Sequence, residues 1–79
     1  MTKDEFWEST NTGGKVYTYD DKFDFYAVFT KGAYEIYPVP VPDYIDSDTY
    51  EKYKTFDGML RNVTVLGKPL GECLNKIEY

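Results

Sequence analysis

Acidic side chains cluster in the segment DYIDSD, which contains Asp43, Asp46 and Asp48. A set of nearby carboxylates can bind calcium, because Ca²⁺ prefers oxygen ligands. The segment lacks the alternating ligand spacing and the central glycine of an EF-hand loop, however. Capping of a following helix is the simpler interpretation, since a carboxylate at a helix N-terminus accepts backbone N–H groups and complements the helix dipole. We therefore predict no metal and no cofactor.

The composition also argues against an enzyme. The chain has no histidine, which is the most common general acid–base group. Cys73 is the sole cysteine and has no histidine to activate it, so a Cys–His nucleophile and a usual zinc site are both excluded. We interpret Cys73 as a buried structural residue. Our prediction is a protein without catalytic residues.

Tyrosine is the most informative residue type of this chain. Nine of the 79 residues are tyrosines, which is more than a small core needs, because a buried tyrosine must also satisfy its hydroxyl group. Tyrosine is enriched at binding interfaces, where it gives a large contact area at a low entropic cost. The pattern therefore favours a binding surface.

A β-meander is the element that we expect to position these tyrosines. Segments rich in Tyr, Phe and Val, separated by turn residues, predict strands near 15–20, 23–30 and 33–41. Lys31 and Gly32 predict a two-residue turn, because glycine tolerates the positive φ that this turn requires. This turn fixes the register of the second and third strands, which pairs Thr30 with Ala33, Val28 with Glu35, Tyr26 with Tyr37 and Asp24 with Val39.

The first turn decides which side chains of the first strand face the core. We expect Asp21 and Lys22 to form its loop, so that Asp20 pairs with Phe23. Because successive side chains of a strand alternate between faces, one face then collects the better core: Val16, Thr18, Phe23, Phe25, Ala27, Phe29, Tyr34, Ile36 and Pro38. The other face is dominated by tyrosine and is either exposed or covered by another element: Tyr17, Tyr19, Asp24, Tyr26, Val28, Glu35, Tyr37 and Val39.

One helix is expected after the meander, near residues 47–57. Its cap would be one of three residues, Asp46, Ser47 or Asp48. Apolar positions then recur at helical spacing: Tyr50, Tyr53, Phe56 and Leu60. Gly58 is expected to end this helix.

The ends of the chain complete a single small domain spanning 1–79. Residues 1–14 are interpreted as a loosely attached N-terminal arm whose Phe6 and Trp7 dock on the core. NVTVL predicts a fourth strand, and 70–79 fits either a short helix or a final strand. The fold class is therefore α+β: an antiparallel meander, one helix, and a C-terminal strand followed by a strand or short helix.

Prolines alternate with other residues in YPVPVPDY, at Pro38, Pro40 and Pro42. This spacing contains no P-x-x-P, so it does not match a polyproline ligand. In a strand, alternate N–H groups point to the same edge, and these prolines remove donors from one edge alone. We expect the third strand to have a blocked outer edge, which protects the sheet from aggregation.

The charge balance limits the partners. The net charge is −5, from 14 acidic and 9 basic residues, so we expect no direct binding to nucleic acid. No apolar run approaches the roughly 20 residues of a membrane span, and no apolar run of signal-peptide length follows the N-terminus. We expect no membrane contact and a cytoplasmic location. A partner protein with a basic surface fits the charge.

In its size, acidity, tyrosine content and lack of catalytic motifs, the chain resembles the small early proteins with which tailed bacteriophages take over a host. The resemblance implies an inhibitor or modulator of a host protein in the host cytoplasm, and no single residue role. We expect steric occlusion through an aromatic and acidic surface. The residues predicted to bind the partner are Tyr17, Tyr19, Asp24, Tyr26, Glu35, Tyr37, Asp43, Asp46, Asp48 and Glu51.

Two alternatives remain open. One is a nucleic-acid mimic that blocks a DNA- or RNA-binding protein through an aligned band of acids at Asp43, Asp46, Asp48, Glu51 and Asp57. The other is a small structural subunit that assembles with its own copies through a strand edge or the tyrosine face. The expected oligomeric state is a monomer or a weak homodimer.

Overall fold

A computed structural model describes residues 1–46 and 48–79 of the chain. The α-helices and strands follow in the order α1 (Lys3–Asn11), β1 (Lys15–Tyr19), β2 (Phe23–Thr30), β3 (Ala33–Pro38), β4 (Glu51–Tyr53), α2 (Phe56–Asn62), β5 (Thr64–Val65), β6 (Lys68–Pro69) and β7 (Ile77–Glu78). Short 3-10 helices occupy Leu70–Glu72 and Leu74–Lys76. The main sheet is antiparallel with strand order β4-β3-β2-β1-β7, and β5 pairs with β6 in a separate hairpin. The predicted α+β class with an antiparallel meander is confirmed.

Helix α1 begins at a capping box. Thr2 Oγ1 accepts the Glu5 backbone N–H at 3.1 Å, and the Thr2 backbone N–H donates to Glu5 Oε1 at 2.7 Å. The bond from the Thr2 backbone N–H to the Glu5 carboxylate, followed by the interaction of this carboxylate with the Thr2 side chain, holds the pKa of Glu5 below its ordinary value. Phe6 is fully buried, so the segment interpreted from sequence as an arm contributes to the core. Trp7 is 49 % exposed, and the expectation that it docks beside Phe6 is wrong.

Strands β2 and β3 pair in the predicted register. Tyr26 lies opposite Tyr37, and Val28 lies opposite Glu35. Lys31 and Gly32 form the two-residue turn, with φ of 53° and 80°. The pairing ends at Pro38, so the expected pair between Asp24 and Val39 is not formed.

The pairing of β1 with β2 is shifted by one residue from the predicted register. Tyr19 lies opposite Phe23, and Tyr17 lies opposite Phe25. The loop has three residues, 20–22, because Asp20 takes a positive φ of 51° that aspartate tolerates better than most residues. A shift by one residue exchanges the two faces of a strand. Tyr17 and Tyr19 therefore point into the core rather than onto the opposite face.

The helix predicted near 47–57 is wrong. The segment instead contains β4 and the first residues of α2. Asp46 stabilises a turn, in which its Oδ1 accepts the Asp48 N–H at 2.9 Å, and Ser47 lies outside the described residues. Thr55 caps α2 by accepting the Gly58 N–H at 2.9 Å, so Gly58 stands in the first turn of a helix that we expected it to end.

Strand β4 occupies the edge of β3 that the prolines were expected to block. Tyr34 lies opposite Tyr53, and Ile36 lies opposite Glu51. The ladder does not continue to Pro38, whose nitrogen carries no hydrogen to donate. The prolines therefore limit how far β4 can pair, whereas the prediction of a wholly unpaired edge is wrong.

The core lies between one face of the main sheet, here called the inner face, and the helical segments. Its buried residues come from all parts of the chain: Phe6, Tyr17, Tyr19, Phe25, Ala27, Tyr34, Ile36, Met59, Leu60, Val63, Val65, Leu70, Cys73, Leu74 and Ile77. The Tyr17 hydroxyl contacts the Ser9 hydroxyl and lies 2.9 Å from Thr10 Oγ1, which satisfies it inside the core. Burial raises the pKa of Tyr17.

The C-terminal segment resolves the open alternative between helix and strand, because it contains both. The two 3-10 helices place Leu70 and Leu74 in the core, and β7 then pairs with β1 at the edge of the main sheet. The segment NVTVL supplies the end of α2 and the two-residue strand β5. None of the helices in residues 1–46 and 48–79 is long and apolar enough to cross a membrane.

Candidate functional site

The side of the main sheet opposite the core carries a group of aromatic and acidic side chains. We call the part formed by Asp24, Tyr26, Val28, Glu35 and Tyr37 the outer face, since these residues alternate with the core residues of β2 and β3. The rings of Tyr26 and Tyr37 lie 6.0 Å apart across the two strands. The predicted pairing of β2 with β3 is what places them together.

Tyr50 extends the aromatic surface beyond the outer face. Its ring stacks on that of Tyr37 with a centroid distance of 4.8 Å and an interplanar angle of 16°. Tyr50 immediately precedes β4, so the pairing of β4 with β3 brings it beside Tyr37. Stacked aromatic pairs stabilise by about 0.5–1.5 kcal/mol beyond the area they bury. The stack therefore fixes the position of the loop that enters β4.

Glu35 is a nearly buried carboxylate on this otherwise accessible side of the sheet. It is 8 % exposed and accepts a hydrogen bond from the Tyr37 hydroxyl at 2.6 Å. This bond, together with partial burial, raises the pKa of Tyr37 to about 12. A neutral Tyr37 can donate to the carboxylate, whereas a tyrosinate would repel it, so the pair orients both side chains.

The segment from Val39 to Asp46 exposes apolar side chains beside the outer face. Val41, Tyr44 and Ile45 are 43 %, 75 % and 47 % exposed. Val41 and Ile45 border a shallow cavity of about 340 Å³. It is also lined by Thr30 and by four residues of the outer face, Tyr26, Val28, Glu35 and Tyr37. Scattered apolar residues on a surface are ordinary, but a contiguous group beside a cavity is typical of an interaction site.

Carboxylates accompany these apolar residues. Asp43, Asp46 and Asp48 are exposed, and the ion pairs found among the described residues join other groups, Lys3 with Asp57 and Lys22 with Asp20. Asp24 accepts a hydrogen bond from Thr18 Oγ1 at 2.8 Å. The loop therefore offers carboxylates that no described lysine or arginine neutralises.

Glu51 lies apart from the outer face, because it pairs with Ile36 of the inner face and projects at the sheet edge. Its Oε1 accepts a hydrogen bond from the Tyr53 hydroxyl. Burial of Tyr53 and this bond to Glu51 raise the pKa of Tyr53 to about 12.

The structure divides the predicted binding residues into three groups. The outer face brings together Asp24, Tyr26, Glu35 and Tyr37, and the adjoining loop and β4 carry Asp43, Asp46, Asp48 and Glu51. Tyr17 and Tyr19 are 0 % and 8 % exposed in the core, so their assignment to a binding surface is wrong. The acids of the proposed mimic band lie in different parts of the fold. Glu51 is in β4, Asp57 is in α2, and Asp43, Asp46 and Asp48 precede both.

Sequence reasoning missed the apolar part of this surface. The segment VPDYID mixes these three apolar or aromatic residues, Val41, Tyr44 and Ile45, with a proline and two acids. This mixture was the signal that could have identified them as exposed. Tyr50 was assigned to the apolar stripe of a helix. Its true position requires the β4 pairing, which local sequence did not predict.

Among residues 1–46 and 48–79, no group of three or more potential ligands is arranged to hold a metal ion. Comparisons of the chain with protein-family models, with curated proteins and with solved structures give no match. The inference of function therefore depends on the surface itself.

Proposed function

We propose that this chain is a non-catalytic protein-binding module that acts by covering a site on a larger protein. The binding surface would consist of the outer face and the adjoining loop, whose described residues are 39–46 and 48–50. In this proposal the protein inhibits or modulates its partner by steric occlusion. No chemical step on the partner is required.

The observation that carries the proposal is the exposure of Val41, Tyr44 and Ile45 beside the stacked rings of Tyr37 and Tyr50. Apolar and aromatic side chains at the centre of a patch, with polar groups around them, are the usual composition of a protein interface. A small fraction of interface residues contributes most of the binding free energy, and tyrosine is enriched among them. Tyr44 has the largest exposed fraction of the exposed apolar and aromatic residues and is the expected anchor.

The charge of the loop indicates the chemistry of the partner. The apolar residues of the loop lie among three acids, Asp43, Asp46 and Asp48. No ion pair among the described residues joins these acids to a lysine or arginine, and the net charge of the chain is −5. A partner with a basic surface would be attracted to this loop, which raises the association rate and disfavours acidic competitors. The resemblance in size and composition to early phage proteins makes a cytoplasmic protein of a bacterial host the first class to test.

Affinity capture from a bacterial lysate tests the proposal. The bait is compared with a variant that combines Tyr44→Ala and Ile45→Ala, and with the control Tyr79→Ala, which removes a tyrosine of 70 % exposure beside β7. We expect the double variant to capture at least about tenfold less partner than the unmodified chain, because each anchor residue contributes more than ~1 kcal/mol to the binding free energy. The control should capture as much as the unmodified chain.

Salt provides an independent readout in the same capture. Raising the ionic strength from about 0.1 M to about 1 M shortens the Debye length from ~10 Å to ~3 Å, so an electrostatically assisted complex should be released. Failure to capture any partner, or equal losses in the double variant and the control, would contradict the proposed surface.

A further inference from the structure

A second cavity opens where the pairing of β3 with β4 stops. The pairing ends at Ile36 and Glu51, and beyond it the chain at Pro38 separates from the segment that leads into β4. The space between them measures about 290 Å³. The missing N–H group of Pro38 explains why the ladder ends here and leaves a gap.

The walls of this cavity combine aromatic rings with carboxylates. Phe23 and Phe25 line it from the inner face, Tyr37 and Tyr50 line it from the opposite side at the sheet edge, and the apolar lining residues are Ile36, Pro38 and Val63. Asp48 and Glu51 contribute the charged groups, and the remaining lining residues are threonines. No lysine or arginine of the described chain lines it, so the negative charge of the cavity is not compensated from within.

We propose that this cavity binds one arginine side chain of the partner protein. A guanidinium group is planar and weakly hydrated, stacks on aromatic rings, and donates hydrogen bonds in a fork that matches carboxylates. The aliphatic stem of the arginine would contact the apolar wall while its charged end lies between Asp48 and Glu51. Arginine is also among the residues that contribute most to protein interfaces.

The dimensions favour a side chain over a free metabolite. Cavities that bind drug-sized ligands measure about 300–1,000 Å³ and enclose most of the ligand, and this one lies at the lower limit. Arginine fits the chemistry better than lysine, because an ammonium group is strongly hydrated and cannot bind two carboxylates through a planar fork. Glu51 already accepts one hydrogen bond, from Tyr53, and its second oxygen remains to accept another.

This inference rests on the proposed function, and its test uses the isolated chain without a partner. N-acetylarginine amide is titrated into the protein over concentrations on the order of 1–50 mM, the range of a weak single-site contact, and backbone amide shifts are followed by NMR. We expect saturable shifts confined to the residues around Ile36, Tyr50 and Thr64. N-acetylcitrulline amide, which has nearly the same shape and no charge, should bind at least about tenfold more weakly, since charge-assisted hydrogen bonds are about twice as strong as neutral ones.

Three variants assign the binding to the cavity. Asp48→Asn and Glu51→Gln preserve the size of each side chain, and each should weaken binding roughly fivefold, the effect of an exposed ion pair at the upper end of its usual strength. Glu8→Gln removes an exposed carboxylate of α1, outside the proposed binding surface, that does not line the cavity, and it should leave binding unchanged.

The outcomes separate this inference from the proposed function. Equal binding of arginine and citrulline compounds, preferential binding of N-acetyllysine amide, or no saturable shift would overturn the arginine site, whereas the capture experiment with the loop variants could still succeed. Saturable arginine binding with failed capture would instead contradict the proposed partner surface alone. If the chain dimerises and Arg61→Gln abolishes the dimer, the occupant is a second copy and the partner assignment is wrong.

Discussion

Removal of the Tyr37 hydroxyl by Tyr37→Phe should destabilise the fold measurably, although the ring itself is partly exposed. Glu35 is 8 % exposed and accepts the 2.6 Å hydrogen bond of this hydroxyl. A hydrogen bond to a charged group contributes about 1.5–3 kcal/mol, and an unsatisfied buried acceptor adds a desolvation penalty. Because water can reach the Tyr37 side of the pair, we expect the lower limit, a loss of about 1.5 kcal/mol in the free energy of unfolding.

Urea unfolding monitored by circular dichroism measures this loss. For a chain of this size the slope is about 1 kcal/mol per molar urea, so the midpoint should fall by roughly 1.5 M. Tyr26→Phe is the matched control, because the Tyr26 hydroxyl makes a single 3.5 Å contact with the Gly13 carbonyl. We expect this variant to lose less than ~0.5 kcal/mol in the free energy of unfolding. Equal losses in the two variants would refute the special role given to the Glu35–Tyr37 pair.

The stability of the fold should also depend on alkaline pH, because the pKa of Tyr37 and that of Tyr53 are raised from 10.0 to about 12. Between these values the folded state retains the tyrosine protons that the unfolded chain loses. The stabilisation from the two tyrosines is therefore complete below pH ~10 and is lost towards pH ~12. Urea midpoints that stay constant over this interval would contradict the prediction. Gly14→Ala should lower the free energy of unfolding more than Gly32→Ala does. Both positions have positive φ, but a Cβ at Gly14 would lie 2.6 Å from the nearest side-chain carbon of β2, whereas the space at Gly32 is open. Equal free energies of unfolding in the two variants would refute the clash. Phe6→Ala should lower the free energy of unfolding by about 3–5 kcal/mol, which is a large part of the total of about 5–15 kcal/mol for a typical domain. A variant with an unchanged thermal unfolding midpoint would show that α1 does not belong to the core.

The parts of the fold that sequence predicts correctly are those set by local chemistry. Gly32 restricts the turn between β2 and β3 to a few geometries, and this turn fixes the register of both strands. The outer-face positions of Tyr26, Tyr37 and Glu35 follow from that register. Once the register is fixed, the alternation of side chains along each strand assigns every strand residue to one face of the sheet.

The errors arose where a longer-range contact or a tolerant residue decided the structure. Asp20 adopts a left-handed conformation that a non-glycine residue seldom takes, and the resulting one-residue shift moved Tyr17 and Tyr19 into the core. Tyr50 and Tyr53 have helical spacing in sequence, yet pairing with β3 outweighs it, and tertiary contacts commonly override local propensity. The candidate site was therefore half predicted. Its strand residues and the acids of its loop followed from sequence, whereas the exposed apolar residues of the loop were missed and the place of Tyr50 required the β4 pairing.

Site-specific photo-crosslinking tests the central claim most directly, that the loop beside the outer face contacts a host protein. A photoreactive amino acid replaces Tyr44 in one protein and Trp7 in another, since both side chains are exposed and Trp7 lies on α1, outside the proposed surface. Irradiation in a bacterial lysate should give one discrete crosslinked protein from position 44 and none from position 7. Crosslinking of the same protein with equal yield from both positions, or of none from position 44, would contradict the account.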